Sequence, residues 1–146
     1  MTNQKRDTGV VLLVEDNEGD IVLTQVAFEA CKLGIELLIA RNGQEALDFL
    51  FQRGEYVHAK RPDLILLDIN LPLFNGLEVL RQVKADSNLK KIPVIMLTTS
   101  SNPNDIDEAY KNHCNSYVKK PLEMSDFLDA IMKIEEFWLQ LTTSPE

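Results

Sequence analysis

Five short apolar runs alternate along the chain with five segments that carry apolar side chains at helical spacing. The runs predict strands at 10–14, 35–40, 64–67, 94–98 and 116–119, and the other segments predict helices at about 19–33, 43–53, 76–85, 105–112 and 125–141. Strict alternation of this kind predicts a parallel sheet with helices on both faces. A chain of 146 residues fits one α/β domain with a doubly wound five-stranded sheet in the order 2-1-3-4-5.

Composition and charge limit the functions open to such a domain. With 23 acidic and 15 basic side chains the net charge is −8, which argues against nonspecific binding to nucleic acid or to an anionic membrane. The first apolar run is too short for a signal peptide or a membrane span. Cys31 and Cys114 are too few and too far apart for a disulfide framework or a zinc site. We expect one cytoplasmic domain over 1–146, with its core at about 10–141 and short polar tails.

The first predicted helix follows directly on a polar stretch. Asn17 is expected to cap it, and Asp20 is favourably placed in its first turn, near the positive end of the helix dipole. The helical spacing predicts an inward stripe that includes Val22, Val26 and Ala27. The sequence therefore predicts for Asp20 only a contribution to the stability of this helix.

Three carboxylates follow predicted strands whose ends the topology brings together. Glu15 and Asp16 follow the first strand, and Asp68 follows the third. In the order 2-1-3-4-5 these strands are neighbours, so Asp16 and Asp68 face one another across the crevice where open α/β sheets bind ligands. Converging oxygen ligands suit Mg²⁺. Taken alone, Asp68 is also explained as a residue that caps the tight loop marked by Pro72 and Gly76.

Two further polar side chains are expected on the same rim. Thr98 ends the fourth strand, and Lys120 follows the fifth, directly before Pro121. A metal, an ammonium group and a hydroxyl around one carboxylate form a site that stabilises charge developing on a phosphoryl group. Thr98 is explained equally well alone as a loop cap and Lys120 as a solvated surface charge. Their joint occurrence at strand ends favours a functional site.

Taken together, these residues resemble the receiver domain of two-component response regulators, which has a flavodoxin-like fold. The resemblance covers about 10–139, and Thr98 lies 30 positions after Asp68 and 22 before Lys120, as is usual in the family. The matching features are the pair Glu15-Asp16, the block Asp68…Pro72…Gly76, Thr98, Tyr117 and Lys120-Pro121.

The resemblance implies a phosphoacceptor and a metal site. Asp68 would accept a phosphoryl group from a sensor histidine kinase. Mg²⁺ would be bound by Asp16, Asp68 and the backbone carbonyl of Asn70, with Glu15 reaching it through water. The family's acidic pair is often two aspartates, so the metal shell here is expected to be looser by one methylene.

It also implies a switch on the opposite rim. Thr98 and Lys120 would contact the phosphoryl oxygens, and the movement of Thr98 would free space for Tyr117 to change position. The Lys120–Pro121 bond is often cis in this family, so a cis bond is expected. Thr99 is bulkier than the Ala or Gly often found there, so the movement of Tyr117 is expected to be restricted.

Asn70 and Ser100 stand at positions that border the path of the hydrolytic water in this family. Asn70 can orient that water, and Ser100 is too small to block it. The resemblance therefore implies a moderately short-lived phosphoryl group.

Three other functions share parts of this pattern. A flavin-binding flavodoxin needs a phosphate loop after the first strand, where Glu15 and Asp16 would repel a phosphate. A phosphatase of the haloacid dehalogenase type needs a second Asp two positions after its nucleophile, where this chain has Asn70. A receiver-like scaffold that is never phosphorylated is the third, and retention of every site residue argues against it. We expect no enzyme activity beyond self-phosphorylation and self-dephosphorylation.

The last predicted helix carries more apolar surface than packing against one sheet requires. Its apolar side chains span an arc of about 220°, where a stripe of about 100° or somewhat more is enough. We expect the surplus, including Phe137, Trp138 and Leu139, to form a homodimer interface together with the fifth strand. Glu135 lies within the apolar arc and counts against a simple dry seam. The alternative is that the last turn packs onto the domain's own edge.

The expected partners are proteins. No DNA-binding or enzymatic segment follows the last helix in the sequence, so the output is expected to be a protein–protein interaction. The amino-acid sequences of 97–100 and 134–138 resemble those of single-domain regulators paired with phytochrome-type histidine kinases in cyanobacteria. We therefore expect such a kinase as the phosphodonor, and neither nucleic acid nor a membrane as a partner.

Overall fold

All five predicted strands are present and form one parallel sheet. In the computed structural model the described residues are 9–30 and 34–142, with side chains described as far as Phe137. The strands are β1 (Val10–Val14), β2 (Glu36–Ala40), β3 (Leu64–Leu67), β4 (Val94–Thr98) and β5 (Ser116–Lys119). Their order is β2-β1-β3-β4-β5, as predicted.

Five α-helices connect and follow the strands. They are α1 (Glu18–Ala30), α2 (Gly43–Leu50), α3 (Gly76–Ala85), α4 (Pro103–Lys111) and α5 (Met124–Thr142), and two short 3₁₀ helices lie at Gly54–Tyr56 and Leu89–Lys91. Asparagine side chains accept backbone N–H groups at the starts of α1, α2, α3 and α4. Within the described residues, none of these helices is long and apolar enough to cross a bilayer.

The sheet separates two hydrophobic layers. Side chains from α2, α3 and α4 pack on one face, and side chains from α1 and α5 pack on the other. All residues of β1, β3 and β4 are buried, whereas β2 and β5 at the edges are only partly buried. The apolar run 64–67 is therefore the buried central strand that the sequence predicts.

The buried face of α1 differs from the predicted one. Val22 and Val26 are exposed, whereas Ile21, Thr24 and Phe28 are buried. The helix is rotated about its axis because it packs against α5 as well as against the sheet. The apolar stripe of a helix that has two neighbours cannot be read from spacing alone.

Two glycines allow the loop after β3 to fold tightly over the sheet edge. A Cβ atom at Gly76 would lie 1.9 Å from the carbonyl oxygen of Asp68, and one at Gly43 would lie 2.1 Å from that of Phe74. The amide of Gly76 also donates to the carbonyl of Ile69 at 2.8 Å, and that of Gly43 to Pro72 at 3.2 Å. The backbone that carries Asp68 is thus held from both sides.

Candidate acidic site at the carboxyl ends of the strands

Three carboxylates lie together where β1 and β3 end. Glu15, Asp16 and Asp68 each offer an oxygen, and these oxygens all lie within 4.8 Å of one another. They meet because β1 and β3 are adjacent and in register, with Val14 opposite Leu67. Glu15 and Asp68 are buried, and Asp16 is exposed to solvent. An all-oxygen set with one open side fits a hard divalent cation such as Mg²⁺, which keeps several of its waters.

The two oxygens of Asp68 have different surroundings. Oδ1 accepts the backbone N–H of Ile69 at 2.7 Å and that of Asn70 at 3.4 Å. Oδ2 accepts a hydrogen bond from the ammonium of Lys120 at 3.1 Å. The turn-capping interpretation of Asp68 is therefore correct for one oxygen, while the other faces a charged side chain inside the cluster.

Lys120 is not a surface charge, since only 4% of its side chain is exposed. Its Nζ donates to Glu15 Oε1 at 2.5 Å, to Asp20 Oδ2 at 2.8 Å and to Asp68 Oδ2 at 3.1 Å. An ammonium group has three N–H donors, so these three carboxylates satisfy it completely. Asp20 thus belongs to the site, which the sequence does not predict. Its only signal was a place in the first turn of the helix that follows the acidic pair.

Burial and charge act in opposite directions on these groups. Burial, with the nearby charge of Asp68, raises the pKa of Glu15 to about 7, although the hydrogen bond from Lys120 lowers it. Burial lowers the pKa of Lys120, but the hydrogen bonds to Asp20 and Glu15 outweigh it and raise this pKa above its ordinary value. Lys120 is therefore charged at neutral pH. Asp16 adds a fourth carboxyl group to the three that bond this one ammonium, so the cluster carries an excess of negative charge that suits a divalent cation.

A second group of polar contacts lies at the ends of β4 and β5. The fully buried Thr98 accepts the backbone N–H of Ser100 on Oγ1 at 3.3 Å. The Tyr117 hydroxyl donates to the carbonyl oxygen of Ser100 at 2.8 Å, and the Ser100 hydroxyl donates to Asp105 Oδ2 at 2.6 Å. Ser100 thus joins Thr98, Tyr117 and the first turn of α4. Sequence reasoning gave Ser100 only a place near a water path.

The peptide bond between Lys120 and Pro121 is trans, which corrects the expected cis form. An X–Pro bond favours trans by about 0.5–1 kcal/mol unless packing selects the other isomer. Here Lys120 reaches all three carboxylates with the bond trans, so the contacts made by its ammonium do not require the cis form.

The predicted interface residues are only partly described. Phe137 is half-buried and packs against the layer formed by α1 and α5. The side chains of Trp138 and Leu139 lie outside the described residues. Glu135 is buried within the chain itself.

Comparison with known proteins identifies a family and several close relatives. The profile of the family described as response regulator receiver domain matches residues 11–132. Response regulator Rcp1 of Synechocystis is 42% identical over 145 residues, which is 99% of each chain. The crystal structure of the phosphorylated cyanobacterial phytochrome response regulator RcpA is similar with a TM-score of 0.90 and 45% identity, over 95% of this chain and 99% of that one. The Mn²⁺-bound form of Rcp1 gives a TM-score of 0.89 and 43% identity, over 94% and 99% of the two chains.

Proposed function

Because this chain belongs to the response regulator receiver domain family, we propose that Asp68 is the residue on which it accepts a phosphoryl group. As a receiver domain it is a two-component signalling protein rather than a catalyst of other reactions. The observation that carries the proposal is the environment of Asp68, a buried carboxylate held by backbone N–H groups on one oxygen and by Lys120 on the other. We also propose that 1–146 form one such domain, since the family match covers most of that length.

We propose that Oδ2 is the oxygen of Asp68 that attacks phosphorus. Oδ1 is fixed by the N–H of Ile69, which orients the carboxylate, whereas Oδ2 faces the ammonium of Lys120. Oδ2 forms the bond to phosphorus while the bond from phosphorus to the donor's leaving group breaks, and the leaving group keeps that electron pair. Oδ2 loses its charge as it becomes the bridging oxygen of the acyl phosphate, a mixed anhydride. The ammonium of Lys120 then turns to the phosphoryl oxygens and offsets their charge.

Receiver domains bind Mg²⁺ or Mn²⁺ at the acidic pocket, and we propose the ligands in this chain. Asp16, Asp68 and the backbone carbonyl of Asn70 would hold the ion, with Glu15 reaching it through water. When bound, the ion supplies positive charge beside the phosphoryl oxygens. The grouping of the three carboxylate oxygens and the exposure of Asp16 support this set.

Incubation with acetyl phosphate and Mg²⁺, followed by intact-mass measurement, tests the phosphoacceptor. The wild type is expected to gain one phosphoryl group, and Asp68→Asn none. The matched control is Asp63→Asn, which changes a carboxylate at the opposite end of β3, where Asp63 accepts the N–H of Val10. A stable adduct on Asp68→Asn would show that another residue is modified. No adduct on the wild type would favour a scaffold that is not regulated by phosphorylation.

We propose Thr98 and Tyr117 as the parts of the domain that respond to phosphorylation. Both are bonded to Ser100, Thr98 through the amide and Tyr117 through the carbonyl oxygen. When Thr98 turns its hydroxyl to the phosphoryl group, the contact with the Ser100 amide is lost and the loop that holds Tyr117 is loosened. Thr99 is exposed, so its bulk lies outside this group of contacts.

A receiver domain has a histidine kinase as its partner, and we propose a kinase of the phytochrome type. The support is the similarity to RcpA, which is a phytochrome response regulator. Timed phosphotransfer from purified kinases, phytochrome-type and others, is expected to be fastest from a phytochrome-type kinase. Equal or faster transfer from an unrelated kinase would contradict this.

We propose that this phosphotransfer takes place in the cytoplasm, which agrees with the free, buried thiol of Cys114.

We propose that the chain forms a homodimer through α5 and β5. β5 is an edge strand, and a groove of about 500 Å³ runs between it and α5, lined in part by Val118, Ala130 and Phe137. Met132, on the same helix, is 54% exposed. Because Glu135 is buried within the monomer, its charge does not lie on the exposed side of the helix. A strand edge beside a partly apolar groove, which Asp126, Asp129 and Lys133 also line, favours association with a second copy.

Sedimentation velocity at tens of micromolar tests the dimer. The wild type is expected to sediment as a dimer and the double variant Phe137→Asp, Leu139→Asp as a monomer. Val57→Asp changes an exposed apolar residue outside α5 and β5 and is expected to leave the dimer intact. A wild type that stays monomeric, phosphorylated or not, would rule the dimer out.

A further inference from the structure

We propose that Asp20 is a positioning residue for phosphoryl transfer, which holds the ammonium of Lys120 in place while Asp68 is modified. The inference rests on the proposed function of Asp68. It starts from the contact between Asp20 Oδ2 and Lys120 Nζ, which joins the first turn of α1 to the end of β5 at 2.8 Å. This contact lies inside the charged cluster and links residues 100 positions apart in the chain.

The backbone of Asp20 is fixed in the first turn of α1 by two side-chain contacts. Its backbone N–H donates to Asn17 Oδ1 at 2.9 Å, and its carbonyl oxygen accepts the hydroxyl of the buried Thr24 at 2.7 Å. An aspartate side chain has only one methylene between backbone and carboxylate, so little freedom remains once the backbone is fixed. Asp20 can therefore act as a fixed point for a long and flexible lysine side chain.

Asp20 is also the partner of Lys120 that the reaction leaves unchanged. The charge on Asp68 Oδ2 is lost when the acyl phosphate forms. Glu15 belongs to the group of three carboxylates that fits a divalent cation, and Asp20 does not belong to that group. Two of the three carboxylates on Lys120 are therefore drawn into other interactions during the reaction. Asp20 keeps the ammonium beside the oxygen that receives the phosphoryl group.

The ordinary explanation of Asp20 is an acidic residue that stabilises the start of a helix. Glu18 lies in the same first turn of α1 and provides the matched comparison, because it has the same charge and the same relation to the helix dipole. Glu18 pairs with Arg41 instead of Lys120. If Asp20 only stabilised the helix, neutralising either residue would have the same effect.

The test compares Asp20→Asn with Glu18→Gln, each in the wild type and in Lys120→Ala. The initial rate of phosphorylation by acetyl phosphate at saturating Mg²⁺ is measured by intact mass. Asp20→Asn is expected to slow the wild type about tenfold, since it replaces a charge-assisted hydrogen bond with a weaker one. Glu18→Gln is expected to change little. In Lys120→Ala, Asp20→Asn is expected to have no further effect, because the residue it acts through is gone.

Each other result overturns the inference. If Asp20→Asn behaves like Glu18→Gln while the wild type is phosphorylated on Asp68, Asp20 has no positioning role. If Asp20→Asn slows Lys120→Ala as much as it slows the wild type, Asp20 does not act through Lys120. A wild type that is not phosphorylated on Asp68 would instead contradict the proposed function itself. The side chain of Asp20 is 25% exposed, so asparagine is readily accommodated there.

Discussion

Two polar clusters lie at the same edge of the sheet and are built in different ways. The phosphoryl cluster consists of Glu15, Asp20, Asp68 and Lys120, and the switch link consists of Thr98, Ser100, Asp105 and Tyr117. The first is held by hydrogen bonds between opposite charges around a buried ammonium. The second is held by three hydrogen bonds, which the hydroxyl, backbone N–H and carbonyl groups of Ser100 make. Rearranging the first cluster therefore costs much more free energy than rearranging the second.

The two clusters also differ in how far apart their members lie in the sequence. The hydrogen bonds of Lys120 join residues 52, 100 and 105 positions apart, so the phosphoryl cluster forms only when β1, β3 and β5 are assembled with the start of α1. The bonds of Ser100 span 2, 5 and 17 positions, and two of them lie within one loop and the start of α4. A loop of this kind can change its bonds while the sheet stays intact. Rigid chemistry and a mobile response can therefore occupy one edge of a small domain.

The largest effect is expected from removing the ammonium at the centre of the phosphoryl cluster. In EDTA, Lys120→Met is expected to lower the free energy of unfolding by about 3 kcal/mol or more, because buried carboxylates lose their counter-charge. Added Mg²⁺ is expected to restore part of the loss. Urea denaturation measures both, and Lys119→Met, at the exposed neighbouring position, is the control. Equal effects of the two substitutions would show that the cluster does not contribute more than a surface charge.

A change at the mouth of the phosphoryl cluster is expected to alter a rate rather than stability. Asn70 is exposed, and its backbone nitrogen lies 3.4 Å from Asp68 Oδ1, which places its side chain at the opening of the cluster. Asn70→Leu is expected to slow loss of the phosphoryl group about fivefold, which corresponds to about 1 kcal/mol in the barrier, by blocking and failing to orient the hydrolytic water. Decay of the phosphorylated form after removal of acetyl phosphate measures it. Asn88→Leu, in the exposed loop before β4, is the control, and an unchanged decay rate for Asn70→Leu would reject the water-path argument.

Much of the fold and the outline of the site follow from local sequence signals. The apolar runs predict all five strands, and their alternation with helices predicts a parallel sheet because parallel strands require crossover connections. The order 2-1-3-4-5 is one of the common orders of such a doubly wound sheet. Once that order is given, Glu15, Asp16 and Asp68 must meet, since residues that follow adjacent parallel strands lie at one edge. The negative charge of these carboxylates then attracts the ammonium of Lys120, which follows another strand at the same edge.

Other features depend on side-chain and loop conformations that no local signal specifies. Asp20 has the same sequence context as any first-turn acid, and only the path of the Lys120 side chain gives it a further contact. The predicted second helix extends to Arg53, but α2 ends at Leu50 because the backbone at Gln52 takes a φ of 57°, which a helix cannot continue. The links through Ser100 likewise depend on the loop path.

The smallest effect is expected in the switch link. Tyr117→Phe removes the hydrogen bond to the Ser100 carbonyl and keeps the ring, which packs against the layer formed by α2, α3 and α4. The loss of one bond of this kind is expected to cost about 1 kcal/mol or less, because water can replace the donor at a half-buried carbonyl. Tyr110→Phe, at an exposed position on α4, is the control for loss of a hydroxyl and is expected to change nothing.

Tyr117→Phe also shows whether a small loss of stability is accompanied by greater mobility of the Ser100 loop. Since the Tyr117 hydroxyl restrains the loop of Ser100, its removal is expected to speed hydrogen exchange of the amides at 99–102 while exchange in β1 and β3 stays unchanged. Hydrogen exchange followed by NMR resolves the two regions in one experiment. If Tyr117→Phe instead destabilised the whole domain as strongly as Lys120→Met, the hydroxyl would be part of the rigid structure. The two clusters would then form one cooperative unit, and the proposed phosphorylation of Asp68 could not move one without disturbing the other.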